Sequence, residues 1–142
     1  MEPINKNILE FLNKCQVATI CFTTPSNKPY CINCFYLFDE TNVILIFKSS
    51  YGTTHDDYVT ANNPSAGTII ADQIDLTKLK GLQFTGTILD QQQISELKLS
   101  TSYIKKFPLS IAMPGYIWGI QIEYLKFTDN TFGFGNKTIW KK

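Results

Sequence analysis

Residues 16 to 48 contain three runs rich in β-branched and aromatic side chains, separated by two short polar stretches. The runs cover 16–23, 30–38 and 43–48, and the stretches between them read TPSNKP and DETN. β-Branched and aromatic residues favour strands, whereas clusters of Pro, Asn, Asp and Ser mark turns. Because strands joined by such short connections pair antiparallel, the pattern predicts that the sheet begins as an antiparallel meander.

The remainder of the chain alternates further strand-like and helix-like segments. Strands are predicted at 66–72, 79–90 and 115–128, a final hairpin at 131–140, and helices at 3–14, 55 to about 62 and 91–107. This order favours a mainly β protein with peripheral helices, as a six-stranded antiparallel barrel of Greek-key type. A length of 142 residues fits a single domain over 1–142.

Two later segments carry predictions of their own. Gly81 and Gly86 lie inside the predicted fifth strand, where glycines often mark a bulge, a bend or the close approach of a ligand. The helix at 91–107 is predicted to be continuous and to stop at Pro108. Its apolar stripe comprises Ile94, Leu97, Thr101 and Ile104.

Composition excludes several classes of function. The net charge is +1 and the lysines are dispersed, so no basic face for a nucleic-acid partner is expected. No run approaches the ~20 apolar residues of a membrane span, and the first residues lack the pattern of a signal peptide. A cytoplasmic protein is therefore expected, with all four cysteines reduced.

Two motifs suggest metal or hydrolytic chemistry, but the residues around them do not support either function. Cys31 and Cys34 form a Cys-x-x-Cys pair within a predicted strand, where residues three apart point to opposite sides, so no metal site is expected. His55 is the only histidine, and no nucleophile motif accompanies it, so a catalytic triad is not expected either.

The loop from Ser49 to His55 is the best candidate for ligand binding. It leads from a strand into a helix N-terminus and is rich in hydroxyl side chains around Gly52. The unpaired N–H groups and the dipole at such a terminus favour a phosphate. Taken alone, the loop is more typical of a plain helix cap at Thr54.

The order of the segments resembles the pyridoxamine-5′-phosphate-oxidase-like, FMN-binding split barrels. QVATICFTT resembles the family's first strand, PYCINCFYLFDETNVILIFKSS its second and third, TTHDDYVTANNPSAGTII its phosphate loop, helix and fourth strand, and LKGLQFTGTI its fifth. The stretch from YIKKFP through IWGIQIEYLKFTDNTFGFGNKTIW looks closer to a small uncharacterised bacterial branch of that superfamily. The resemblance covers nearly the whole chain.

The resemblance implies a split barrel that forms a homodimer with two FMN sites at the subunit interface, each lined by both subunits. Residues matching positions around the flavin phosphate are Ser49, Ser50, Thr54 and His55. Residues matching the surroundings of the flavin ring are Asn33, Cys34, Phe35 and Gln83, with Trp118 as a wall from the partner subunit. His55 and Asp56 stand where typical members have Arg and Lys, and the basic residues that bind the oxidase's vitamin substrate have no match.

Three functions stay open at this point. The first is an FMN-binding protein, including a flavin-dependent oxidoreductase with an unidentified substrate and no identified catalytic side chain. The second is a non-enzymatic module for haem or another flat cofactor, for which His55 is the only imidazole. The third is a dimeric scaffold with a vestigial flavin pocket.

Overall fold

Six antiparallel strands close into a barrel in the computed structural model, which describes residues 2–50, 59–61, 63–131 and 133–142. The strands are β1 (Val17–Thr23), β2 (Pro29–Asp39), β3 (Ile44–Ser50), β4 (Pro64–Ile70), β5 (Lys80–Ile88) and β6 (Gly115–Asp129). Their order is β3-β2-β1-β4-β5-β6, and pairing of β3 with β6 closes the barrel. After the meander, β4 returns beside β1, which is a Greek-key connection. The predicted mainly β, six-stranded barrel is confirmed.

A seventh strand and the first helix complete the barrel. Strand β7 (Lys137–Lys141) pairs antiparallel with the end of β6, as the predicted final hairpin requires. Helix α1 (Lys6–Lys14) begins at Asn5, whose side chain accepts a hydrogen bond from the backbone N–H of Asn7. The helix buries its apolar face in the barrel core, and the hydroxyl of Tyr36 donates to the carbonyl of Leu12 at 2.7 Å.

A second apolar cluster lies outside the barrel wall, under helices α2 (Gln91–Glu96) and α3 (Leu99–Lys106). Successive side chains of a strand point to opposite faces. In β3, therefore, Leu45 and Phe47 enter the barrel core, whereas Ile44 and Ile46 meet the helices. The cluster comprises Ile44, Ile46, Leu89, Ile94, Leu99 and Tyr103. A 3-10 turn, Pro108–Ala112, follows α3 and returns the chain to β6.

The continuous helix predicted over 91–107 is wrong. Lys98 adopts a left-handed conformation with φ 52°, which separates α2 from α3. The break allows Ile94 and Leu99 to be buried in the same cluster, although five residues of an unbroken helix would turn them about 140° apart. The predicted stripe is correspondingly wrong at Leu97 and Thr101, which are exposed.

Two further predictions concern an irregularity in β5 and a helix from residue 55 to about 62. The register of β5 against β6 shifts between Thr85 and Gly86, which confirms the irregularity expected from the glycine. The helix predicted from residue 55 to about 62 falls mostly outside the described residues, and the described residues 59–61 are not helical. None of the helices among the described residues is long and apolar enough to cross a membrane.

Candidate functional site

The barrel wall opens where β2 and β3 diverge. Their pairing ends at Tyr36 and Phe47. Beyond that pair, β2 continues beside β1, with Phe35 opposite Val17, while β3 continues beside β6 as far as Ser50. The side chains that follow the last pair on each strand are therefore held apart by different neighbours, and a cavity lies between them.

We call this cavity of about 260 Å³ the split pocket. Its strand side consists of Cys34, Phe35, Lys48 and Ser50. Its other side consists of Tyr103, Phe107, Leu109, Ser110, Met113 and Pro114, from α3 and the turn after it. Mostly apolar walls with a few polar groups are typical of small-molecule sites.

Aromatic rings line one wall of the split pocket. The ring centroids of Phe35 and Phe107 lie 5.7 Å apart, and those of Tyr103 and Phe107 lie 4.9 Å apart, within the range of favourable ring packing. The hydroxyl of Tyr103 donates to the carbonyl of Phe35 at 3.4 Å. Burial raises the pKa of Tyr103 to about 12, so this hydroxyl stays protonated and remains a donor.

Three polar groups face this apolar wall. The ammonium of Lys48 donates to the carbonyls of Ser110, at 2.6 Å, and Met113. The hydroxyl of Ser110 is buried and has no hydrogen-bond partner among the described residues. The third group, the thiol of Cys34, is half-buried, and burial raises its pKa to about 12. The thiol therefore stays protonated at neutral pH and is not an anionic ligand for a metal.

Ser49 faces away from the split pocket into the barrel. It is fully buried, and its hydroxyl accepts a hydrogen bond from the indole N–H of Trp118 at 3.1 Å. Trp118 is half-buried and packs against both apolar clusters of its own subunit. Its predicted contact with a cofactor held by the partner subunit stays a prediction.

A second set of predicted residues lies on the outer face of the barrel. Asn33 is paired with Thr19, Thr19 with Thr68 and Thr68 with Gln83, so the two predicted amides lie in one row across β2, β1, β4 and β5, and this row continues to Lys126 on β6. The hydroxyl of Thr19 donates to the Asn33 side-chain oxygen at 2.7 Å, which orients that amide.

On the same four strands, the rows on either side of this one are also uncharged. One contains Cys31, Cys21, Ala66 and Thr85, and the other contains two separate pairs, Phe35 with Val17 and Ile70 with Gly81. Across β2, β1, β4 and β5, none of the side chains in the three rows, all of them described, is charged. We call the three rows on these four strands the uncharged face. A solvated face of an antiparallel sheet normally carries polar and charged residues, so an uncharged one is typical of a covered surface.

The cysteines are not all reduced, contrary to the expectation. Cys21 and Cys31 are directly opposed in β1 and β2, with Cα atoms 4.1 Å apart, and form a disulfide. Their spacing along the chain gives no signal, because the register of the hairpin alone brings the two thiols together. Cys34 lies on the inner side of β2 and Cys31 on the outer side, as the alternation of a strand predicts.

The predicted site residues thus fall into two adjoining groups. Cys34, Phe35 and Ser50 line the split pocket, and Asn33 and Gln83 lie on the uncharged face, with Phe35 belonging to both. Thr54 and His55 lie outside the described residues. Two further residues that line the split pocket, Lys48 and Ser110, were not predicted from the sequence. The alternation of β3 places Lys48 on the same side as Ser50, which is a usable signal, whereas nothing in the sequence indicates that the turn at 108–112 reaches this strand.

Comparison with solved structures defines the class. The fold is that of the pyridoxamine-5′-phosphate-oxidase-like split barrels. A pyridoxamine 5′-phosphate oxidase-related, FMN-binding protein from Nostoc punctiforme superposes with a TM-score of 0.72 at 9% identity, over 100% of this chain and 92% of that one. A heme-binding protein from Mycobacterium smegmatis gives 0.73 at 10% identity, over 97% of this chain and 59% of its own. HutZ, a heme storage protein of Vibrio cholerae, gives 0.67 at 12% identity, over 95% and 100%.

Sequence relatives narrow the class to a family. No family model matches the chain. A UPF0306 protein of Photorhabdus laumondii is 32% identical over 135 residues, which cover 95% of this chain and 94% of that protein. The UPF0306 protein YhbP of Salmonella schwarzengrund is 35% identical over 92% of this chain and 88% of its own length. The chain belongs to the UPF0306 family, and its fold is that of the split barrels.

Proposed function

We propose that this protein is a homodimer that binds FMN along the strip from Gln83 to Ser50, at the subunit interface. The observation that carries the proposal is the row in which Asn33 and Gln83, fifty positions apart in sequence, lie on one surface that carries no charge across β2, β1, β4 and β5. Phe35 connects that surface to the split pocket. A flavin ring is flat and bears carbonyl and N–H groups along its edge, which amide side chains bind as both donors and acceptors.

The residues of the strip fit such a cofactor chemically. The uncharged face supplies amides and hydroxyls without charge, and the adjoining edge of the split pocket supplies the ring of Phe35 and the hydroxyl of Ser50. The cavity of about 260 Å³ is smaller than the ~300–1,000 Å³ of sites that enclose a drug-sized ligand. A whole flavin therefore lies beside this pocket, along the uncharged face, and in this proposal the partner subunit provides the second wall of the flavin site.

The uncharged face is the proposed dimer surface. Val17, Phe35 and Ile70 within it are 40%, 54% and 52% exposed in the single chain. A two-fold axis brings the same patch of both subunits together, so a surface without charge avoids like-charge repulsion against its own copy. Solved relatives of the fold include small-ligand-binding proteins, which supports a shared site of this kind.

The proposed activity is that of a flavin-dependent oxidoreductase. When bound, the flavin supplies the redox chemistry, and the protein supplies binding, orientation and exclusion of water. The protonated thiol of Cys34 and the protonated hydroxyl of Tyr103 line the adjoining split pocket without introducing a negative charge beside the ring.

A flavin titration tests the proposal. FMN fluorescence should be quenched saturably, with a Kd on the order of ten micromolar or lower. Asn33→Ala and Gln83→Ala should each weaken binding by about two- to tenfold, the value of one hydrogen bond. Gln92→Ala, an exposed amide on α2, is the control and should leave the Kd unchanged. Absence of quenching or of an absorption shift at tens of micromolar would reject FMN.

Haem is the second candidate, because two of the similar solved structures are described as heme-binding or heme-storage proteins. An axial ligand is then needed, and the raised pKa of Cys34 argues against its thiolate, which leaves His55. Added haem should give a Soret band that His55→Ala abolishes and Cys34→Ala retains. A spectrum of free haem, or a band that survives His55→Ala, would count against this candidate.

A cytoplasmic location is proposed as well, and the cysteine pair makes it testable. Cytoplasmic thiol systems keep most protein thiols reduced. In this proposal the Cys21–Cys31 disulfide of the structure is reduced inside the cell and forms on oxidation, so cells lysed directly into a thiol-blocking reagent should yield protein with both thiols blocked, whereas air-oxidised protein should retain the disulfide. Recovery of a fully oxidised pair from such a lysate would favour an oxidising compartment.

A further inference from the structure

The split pocket contains two polar groups that the proposed flavin site does not use. Ser110 is 8% exposed, and its hydroxyl has no hydrogen-bond partner among the described residues. Buried hydroxyls in native proteins are normally satisfied, so an unsatisfied one beside a cavity indicates a group that is missing from the protein alone. Ser110 lies in the turn Pro108–Ala112, on the side of the pocket opposite β2.

Lys48 is the second such group. Two of the three N–H groups of the Lys48 ammonium donate hydrogen bonds to the carbonyls of Ser110 and Met113. These bonds hold the ammonium against the same turn that carries the unsatisfied hydroxyl. Among the described residues Lys48 forms no ion pair, and the lining of the split pocket contains no carboxylate. Within the part of the chain that the structure describes, one ammonium donor and one positive charge thus remain uncompensated at an apolar cavity.

The other residues that line the split pocket limit which ligand could bind the ammonium of Lys48 and the hydroxyl of Ser110. Phe35, Tyr103 and Phe107 provide ring faces and edges, and Met113 adds a polarisable thioether that favours aromatic contact. The volume of about 260 Å³ suits one or two rings rather than an extended chain. We propose that the split pocket is a subsite for a compact aromatic monoanion, whose anionic oxygen is bound by the ammonium of Lys48 and the hydroxyl of Ser110.

This ligand is a second molecule beside the proposed cofactor, and it gives the substrate class of the site. A single carboxylate matches the single uncompensated charge, and charge-assisted hydrogen bonds are about twice as strong as neutral ones. Because the pocket lies within one subunit, its occupation does not depend on FMN. Failure of flavin binding and failure of this subsite are therefore distinguishable.

Benzoate and its neutral analogue benzyl alcohol are the probes, titrated by calorimetry with and without FMN. The wild-type protein should bind benzoate at least about tenfold more tightly than benzyl alcohol, as one charge-assisted bond predicts. Lys48→Met should remove this preference, whereas Lys105→Met, an exposed lysine of α3, should preserve it. Equal affinity for the two probes, no binding at millimolar concentration, or a preference that survives Lys48→Met would overturn the proposal.

Ser110→Ala provides a second test that does not depend on the anchoring role of Lys48. Removal of an unsatisfied hydroxyl should raise the midpoint of thermal unfolding while weakening benzoate several-fold. Ser102→Ala, on the exposed side of α3, should change neither. If Lys48→Met weakens FMN but not riboflavin, the ammonium serves the cofactor phosphate, and the assignment to a second ligand is wrong.

Discussion

The indole of Trp118 on β6 donates to the hydroxyl of Ser49 on β3 at 3.1 Å, inside the same subunit. Ser49 is completely buried, whereas the adjacent Ser50 is exposed and lines the split pocket. The bond therefore fixes the end of β3 from inside the barrel and sets the direction in which its outward side chains, Lys48 and Ser50, point. Ser49 and Trp118, which the resemblance predicts at a cofactor site, thus stabilise the strand end beside the split pocket.

Trp118→Phe tests this link between scaffold and site. Loss of the hydrogen bond should lower the free energy of unfolding by about 1–2 kcal/mol, measured by denaturant titration. FMN affinity should fall as well, because the end of β3 is no longer fixed. Trp140→Phe is the matched control, since its buried indole also loses a bond, to the carbonyl of Glu2 at 2.8 Å, far from the pocket. Equal effects of both variants on FMN affinity would contradict the link.

A charge at the centre of the uncharged face should prevent dimerisation. Thr68 lies in the middle row between Thr19 and Gln83 and is exposed in the single chain, so Thr68→Lys should not disturb the barrel itself. On a two-fold interface the substitution brings two like charges together. Light scattering should give the dimer mass for the wild type and for Thr101→Lys, a control on α3, and the monomer mass for Thr68→Lys. A dimeric Thr68→Lys protein would place the interface elsewhere.

The strands were predictable because each carries its own local signal. The β-branched runs and polar turns gave all six barrel strands, with ends displaced by a few residues, and Gly86 marked the register shift. The site was predictable only in part. Asn33 and Gln83 came from the resemblance, but their position in one row depends on pairings between strands far apart in sequence. The Cys21–Cys31 bond and the contact of Lys48 with Ser110 likewise depend on register and on a turn with no local signature.

The thiol of Cys34 should be unreactive at neutral pH despite lining an open pocket. Burial raises its pKa to about 12, so at pH 8 only about one molecule in ten thousand is the reactive thiolate. The rate of alkylation by iodoacetamide should therefore rise about tenfold per pH unit without a plateau below pH 10. The alkylation rate of Cys34 is measured by mass spectrometry of the labelled peptide. Cys15, which is fully buried, is the protected reference. A plateau near pH 9 in the folded protein would show that the thiol is not desolvated.

Lys98→Gly should stabilise the protein by removing backbone strain. Lys98 has φ 52° and ψ 40°, a left-handed conformation that costs an L-residue with a side chain about 1 kcal/mol relative to glycine. Glycine loses part of this gain through the greater freedom of its unfolded state, so we expect a net increase of about 0.5–1 kcal/mol in the free energy of unfolding. Lys98→Ala removes the same side chain without relieving the strain and should give no increase.

The break between α2 and α3 also sets the position of Tyr103 and Phe107 in the split pocket. Probe binding should therefore be retained in Lys98→Gly. It should be reduced in Lys98→Pro, because the fixed negative φ of proline cannot form the break. A Lys98→Gly protein less stable than Lys98→Ala would mean that the left-handed residue is not the origin of the helix break.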